Sequence, residues 1–374
     1  MLRSRGVVEY GGQTIRILIL PGDGIGPEIT AATCHVLDIV NAQLELGLEM
    51  EERAIGLASL DSEGTTFPDD VLQHARQADG VILGPVSTFE YPPREQGGLN
   101  PSADIRIKLD LFANIRPSCT RPGVSAVATD IDLVIVRENT EGFYADRNMF
   151  IGSGEFQPSE DIAIAMRKIS VHGCRRIARV GFELARRRRK QLTMVHKANV
   201  LKISDGLFRR EVLKVSEDFP DVNVDEVLVD AMAAMLIRKP AAYDVVLTTN
   251  MYGDILSDEA AELAGGLGLA PALNAGDEYA VAQAAHGSAP DIAGRGIANP
   301  AALMLSAGML LDWIGARHGR EDLVVAARHV RAAVDAVLAD PSQHTPDLGG
   351  TANTEAFSEA VAGQVAAFSD KAAG

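Results

Sequence analysis

Asp254 and Asp258 stand four residues apart in the run Asn250 to Ala260 (NMYGDILSDEA), so on a helix both carboxylates project from one face. Two like charges so placed repel unless a cation lies between them. A solvated acidic face is the plain reading of such a pair. The neighbours Ile255, Leu256, Ala260, Ala261 and Leu263 are apolar, however, which favours a divalent cation held by hard oxygen ligands. Asp230, after the strand-like run Asp225 to Val229 (DEVLV), is a third candidate oxygen donor for Mg²⁺ or Mn²⁺. Arg106, Arg116 and Arg137 are the basic counterpart. Arg106 could be a helix-surface cation and Arg116, before Pro117, a turn cap. Arg137 follows a largely apolar run, where an unpaired guanidinium is costly, and so requires an anionic partner. Arginines near strand and helix ends suit a di- or tricarboxylate, which guanidinium matches bidentately. Lys197 also follows an apolar run; it is either structural or tuned for base work.

Positioning these groups requires strands that end at them. Ile15 to Leu20 (IRILIL) reads as a buried strand feeding Pro21-Gly22-Asp23-Gly24-Ile25-Gly26-Pro27-Glu28, with a helical pattern continuing to about Val40. Strand, glycine turn and helix form the layout of a phosphate-binding loop. The dinucleotide fingerprint G-x-G-x-x-G fails, because Pro27 holds the third glycine position and suits a first helical turn instead. Further strands are expected at Val81 to Leu83, Ile131 to Val136, Gln191 to Val195, Asp225 to Val229 and Tyr243 to Thr249, and one more, after a loop, between Gly268 and His286. Helices are expected at 103–111, 172–188, 231–237 and, in the tail, 300–316, 321–339 and 354–368. Pro85 to Pro101 reads as a long loop, Phe112 to Pro117 as the end of the helix before it, and 145–165 as an arm or hairpin. Alternation of strands and helices predicts an α/β fold.

The chain of 374 residues has room for two domains or one large unit. Its formal net charge of −16 argues against general affinity for nucleic acid or acidic membranes, without excluding an anionic substrate at a local arginine cluster. The basic run Arg186 to Lys190 fits the C-terminus of a helix better than a nucleic-acid patch. Cys34, Cys119 and Cys174 are odd in number and widely spaced, with no C-x-x-C, which predicts neither a disulfide framework nor a zinc site. The start lacks the apolar core of a signal peptide, and no run approaches the ~18 apolar residues of a membrane span. A cytoplasmic protein is expected.

The motifs PGDGIGPE, ANIRP, RENTEGFY, VHKAN, VDAMA, NMYGDILSDEAAEL and HGSAPDIAGRGIANP resemble, in this order and across nearly the whole chain, the isocitrate/isopropylmalate dehydrogenase family. The resemblance implies hydride transfer from C2 of a 2-hydroxy acid to a nicotinamide, followed by loss of the 3-carboxylate as CO₂. By motif, Arg106, Arg116 and Arg137 would clamp the malate moiety. Asp254 and Asp258 would bind the metal together with Asp230, and in this family both that aspartate and the lysine matching Lys197 come from the partner subunit of a homodimer. Lys197 would help remove the 2-hydroxyl proton, and Tyr144 would protonate carbon after decarboxylation. The loop His286-Gly287-Ser288-Ala289-Pro290-Asp291-Ile292 would wrap the adenosine, with Asn299 facing the adenine and Ile25 along the cofactor. Asp291 can accept from a ribose 2′-hydroxyl and repel a 2′-phosphate, so NAD is expected; relatives that use NADP carry Lys then Tyr there.

The same resemblance narrows the substrate. Glu141 to Tyr144 and Val195 to Lys197 look more like the isocitrate and homoisocitrate branches than the isopropylmalate branch. Asn100 and Ser102 occupy the places where isocitrate enzymes carry Ser and Asn, and Gly97 to Ala103 lacks the leucine pair expected for an isopropyl group. A polar tail is therefore favoured, with isopropylmalate or tartrate as alternatives. Gln283 stands where the family carries an acid. A non-catalytic regulatory subunit is disfavoured by the completeness of the motif set. The implied fold has two α/β domains, a discontinuous large one of 1–111 plus 265–374 and a smaller, dimer-forming one of 112–264.

Overall fold

A ten-stranded sheet runs through the molecule. The computed structural model describes residues 14–144, 149 and 151–372; the expectation for the first thirteen residues, and part of that for the 145–165 arm, lies outside the described residues. In chain order, β1 (Ile15–Leu20) leads into α1 (Gly26–Leu44), β2 (Leu48–Glu52), α2 (Leu57–Glu63), α3 (Asp69–Gln77), β3 (Gly80–Leu83) and α4 (Pro101–Lys108). Then come β4 (Ala113–Cys119), β5 (Asp132–Glu138) and a separate ribbon of β6 (Glu155–Ser159) and β7 (Ile162–Ala165). They are followed by α5 (Val171–Arg187), β8 (Gln191–His196), α6 (Ser204–Ser216), β9 (Asn223–Leu228), α7 (Val229–Arg238), β10 (Val245–Thr248) and α8 (Asn250–Ala264). The chain ends with β11 (Leu273–Ala275), β12 (Ala280–Ala282), α9 (Ala301–His318), α10 (Glu321–Leu338) and α11 (Thr354–Ala372).

Pairing is parallel within β2-β1-β3-β12 and within β5-β10-β8-β9, while the central β11 and β4 join these halves through antiparallel ladders. The apolar strands are buried as the sequence predicts: Ile17, Leu18, Ile19, Leu20, Val245, Val246 and Leu247 are all nearly inaccessible. Two buried clusters draw on residues before 112 and after 268; two others draw on residues from 112 to 264. Apolar on almost every side, α9 lies within the first pair, and α5 and α8 cover opposite faces of the second half-sheet.

Four readings need correction. Arg116 and Pro117 lie within β4 rather than in a turn after a helix, which already stops at Lys108. Pro117 is tolerated there because β11 pairs only with Ala113, Asn114 and Ile115, leaving the strand without a neighbour on that side at Pro117. Two strands, β11 and β12, precede the 286–292 loop where one was expected. Asp230 sits in the first turn of α7, not at a strand end. Finally, β2 was not anticipated. Its sequence LEMEE carries no apolar run because it is an edge strand paired only to β1, with Glu49, Glu51 and Glu52 exposed. Arg186, Arg188, Arg189 and Lys190 of the basic run are spent on ion pairs to Asp221, Asp132 and Asp244.

Candidate active site

Register assembles the site. In the β4–β5 ladder Asn114 faces Arg137 and Arg116 faces Ile135, so Asn114, Arg116 and Arg137 project from one face of the sheet. Helix α8 lies against that face. At Gly253 its backbone approaches so closely that a Cβ would stand 2.6 Å from the Cβ of Arg137, which only glycine allows. That contact brings Asn250, Asp254, Ser257 and Asp258, one helical stripe, over the two arginines.

Arg137 is 2 % exposed and all its nitrogens are engaged. Its Nε donates to Asn250 Oδ1 at 2.8 Å, its Nη2 to Tyr144 Oη at 2.9 Å, and its Nη1 to Asp254 Oδ1. Arg116 donates from Nε to Asn114 Oδ1 at 2.6 Å and from Nη1 to Ser257 Oγ at 2.8 Å, with Asp254 at 3.2 Å and Asp258 at 3.3 Å. Tyr144 Oη donates to Asp254 Oδ2 at 2.5 Å. The field follows from this packing. Burial raises the Asp254 pKa, but Arg137, Arg116 and the Tyr144 hydrogen bond outweigh it and hold the carboxyl below its ordinary value. Asp258 is shifted up by burial, with Arg116 opposing and Asp254 adding to the rise. Burial, then the like charge of Arg137, brings the Arg116 pKa down to about 10. Tyr144 is pushed up, first by burial, so it is a neutral phenol that donates a hydrogen bond to the Asp254 carboxylate.

Beside this cluster a cavity of about 240 Å³ is lined by Asn100, Ser102, Arg106, Asn114 and Arg116 on one side and by Gln283, His286 and Gly287 on another. Ser102 and Arg106 share a face of α4. Asn100 caps that helix, its Oδ1 accepting from Ala103 N at 3.1 Å. Arg106 Nη2 donates to Gln283 Oε1 at 2.9 Å, and Gln283 Nε2 donates to Ser102 Oγ at 2.8 Å. Burial lowers the His286 pKa.

The glycine turn and the 286–292 loop touch. Ile25 N donates to Ser288 O at 2.8 Å, Ser87 Oγ bonds Ser288 Oγ at 2.8 Å, and a Cβ on Gly24 would stand 2.0 Å from Ser288 O. Asp23 binds the turn to its surroundings by accepting from Leu57 N and Ser87 N. Pro290 and Asp291 are exposed at the loop tip, while Ala289 and Ile292 pack partly on the core. Ile25 has its side chain in the core, not on the loop surface. Asn299 is buried, accepting from Ala301 N and donating to Asp347.

Thus Arg106, Arg116, Arg137, Tyr144, Asp254, Asp258, Asn100 and Ser102 converge with the start of the 286–292 loop. Lys197 and Asp230 do not join them. They pair with each other at 2.5 Å, at the end of β8 and the start of α7, and that hydrogen bond is the first cause of the lowered Asp230 pKa. Among the described residues, no three His, Cys, Asp or Glu side chains of one chain are grouped to hold a metal. Asp254 and Asp258, partly exposed and oxygen-bearing, are nevertheless a fitting donor pair for a hard divalent cation. Asn114, Asn250 and Ser257 were missed. The i, i+4, i+7 spacing of Asn250, Asp254 and Ser257 could have revealed two of them, and the i, i+2 spacing of Asn114 and Arg116 the third, had the strand been recognised.

An open α/β sheet carrying buried arginines, paired carboxylates and a phenol beside a glycine turn has the chemistry to hold a small polyanion. A profile for isocitrate/isopropylmalate dehydrogenases matches residues 16–361. The chain is 44 % identical over 348 residues to an isocitrate/homoisocitrate dehydrogenase of Thermus thermophilus, covering 92 % of this chain and 97 % of the relative. It is 41 % identical to a 3-isopropylmalate/3-methylmalate dehydrogenase of Methanocaldococcus jannaschii, covering 94 % and 98 %. A crystal structure of isocitrate dehydrogenase from Methylococcus capsulatus superposes with a TM-score of 0.83 at 37 % identity, covering 94 % of this chain and 99 % of that one. The chain belongs to the isocitrate/isopropylmalate dehydrogenase family, whose members are decarboxylating oxidoreductases acting on small molecules. No helix among the described residues is long and apolar enough to cross a membrane.

Proposed function

We propose that the protein is an NAD-dependent, Mg²⁺- or Mn²⁺-dependent dehydrogenase that oxidatively decarboxylates a 3-substituted malate with a polar tail, of the isocitrate or homoisocitrate kind. The observation that carries this reading is the single cavity bordered by Arg106, Arg116, Asn100 and Ser102, adjoining the Arg137–Tyr144–Asp254 cluster. Arg106, Arg116 and Arg137 bind and orient the malate carboxylates. Asp254 and Asp258, with Asp230, hold the cation. When bound, the cation would supply positive charge to the substrate 2-oxygen; residues 286–292 would hold NAD, with Asp291 available as an acceptor for a ribose hydroxyl, and NAD would supply the hydride acceptor. Lys197 takes the 2-hydroxyl proton. Tyr144, neutral and already hydrogen-bonded in the cluster, delivers a proton to carbon once CO₂ has left.

Lys197 and Asp230 reach the site across a homodimer in this reading. Exposed apolar side chains at the start of α6 and on α7 and α8 favour such an interface: Ile203 is 90 % exposed, Ile237 66 % and Ile255 60 %. A division into 1–111 plus 265–374 and 112–264 accords with the buried clusters, which separate near the same boundaries. The free thiols fit a reducing, cytoplasmic setting. Isopropylmalate is the competing substrate, since a relative is named for it. The test is NADH formation by the purified protein with Mn²⁺ and isocitrate, homoisocitrate, tartrate or isopropylmalate. The highest kcat/KM is expected with isocitrate or homoisocitrate. A preference for isopropylmalate overturns the polar tail, and no NAD reduction with any of the four overturns the enzyme reading.

A further inference from the structure

We propose that Gln283 sets the hydrogen-bond polarity of the substrate-tail end of the cavity, making it a surface of donors selective for an acceptor-rich tail, a carboxylate. This deepens the reading of the cavity as a 3-substituted malate site and rests on it. The polarity depends on which way the buried Gln283 amide points. A guanidinium can only donate, so the Gln283 oxygen must face Arg106 Nη2, 2.9 Å away, and the amide nitrogen must face Ser102 Oγ at 2.8 Å. Ser102 therefore accepts from Gln283, and its own proton is directed elsewhere, on the hydroxyl that borders the cavity. Asn100 is fixed by the same logic. Its oxygen accepts from the Ala103 N–H, which leaves the amide nitrogen as its outward group. Together with Arg106, the tail end thus presents a hydroxyl proton, an amide N–H and a guanidinium.

A glutamate at 283 would reverse this. Its carboxylate would neutralise Arg106 and would accept the Ser102 proton, turning the hydroxyl lone pairs toward the cavity. Gln283 is accordingly a positioning residue that acts through Ser102 and Arg106.

Tricarballylate (propane-1,2,3-tricarboxylate) has the carboxylates but no hydroxyl, so it binds without turnover. Calorimetric titration of the full-length protein with Mn²⁺ should show Gln283→Glu weakening tricarballylate at least about tenfold, the loss of a charge-assisted contact. Ser102→Ala should cost severalfold in the parent but less than about twofold in the Gln283→Glu background, because there the hydroxyl proton is already withdrawn. Undiminished affinity in Gln283→Glu, equal costs of Ser102→Ala in both backgrounds, or no binding by the parent overturns the proposal. Should Gln283→Glu fail to fold, Ser102→Ala alone decides: severalfold weaker tricarballylate with unchanged succinate is expected, and equal losses for both refute it. A parent that binds tricarballylate as expected yet reduces NAD with no hydroxy acid retires the dehydrogenase reading and leaves this one standing.

Discussion

Asp254→Asn tests the arginine–carboxylate cluster in isolation from any ligand. Asp254 Oδ1 takes the Nη1 groups of Arg137 and Arg116, and Oδ2 takes the Tyr144 proton. An asparagine keeps one acceptor oxygen and loses the charge, so the arginine bonds fall to roughly half strength, from about 1.5–3 kcal/mol each. The nitrogen now faces Tyr144 Oη, which already accepts from Arg137 and must turn its proton away. Asp254 has a side chain 38 % exposed, so solvent screens part of the loss, and a net cost of about 2 kcal/mol is expected. Spread over 374 residues, at about 2 cal/mol/K per residue, this lowers Tm by roughly 2–3 °C. Calorimetry of the metal-free, substrate-free protein reads it directly. Because the Asp254 pKa is depressed in the folded state, its contribution is fully present above the ordinary carboxylate value of about 4 and fades as pH falls through the lower, folded value. The difference between parent and variant should therefore persist at pH 7 and shrink in strong acid. An Asp254→Asn protein as stable as its parent at pH 7 would refute the cluster as a stabilising unit. Turnover with Mn²⁺ should fall at least about a hundredfold; near-normal activity would remove Asp254 from the metal site.

Tyr144→Phe removes a phenol held between Arg137 and Asp254, and should slow decarboxylation more than hydride transfer; equal losses in the two steps, resolved by single-turnover NADH and CO₂ traces, count against the acid role. Replacing Asp291 with Lys and Ile292 with Tyr at the exposed loop tip should shift the NADP-to-NAD ratio of kcat/KM upward by at least about tenfold, from relief of charge repulsion; an unchanged ratio means that the loop does not meet the ribose. Burial, then Asp38 and Glu52, pushes the Cys34 thiol up to about 12, and burial, then Glu141 and Glu138, does the same for Cys174. At pH 8 both should alkylate about a thousandfold more slowly in the native protein than after unfolding, as mapped by mass spectrometry; comparable rates would show that neither thiol is shielded.

The sequence by itself determined the parts whose chemistry is local. Ile17–Leu20 and Val245–Leu247 are continuous apolar runs, and their burial follows from that alone. The Asp254–Asp258 pair is set by helical spacing, and the motif order carried the family. Edge strand β2 was illegible because an edge needs little apolar surface, and Arg116 was misplaced because proline normally argues against a strand. Only the tertiary structure decided who touches whom: that Asn114 faces Arg137, that Gly253 lets α8 settle on it, and that Gln283 spans Arg106 and Ser102 across 177 and 181 residues of chain. Spacing along the chain fixes neighbours over a few residues. Contacts at such separations depend on strand register and sheet order, which are settled by packing across the whole core.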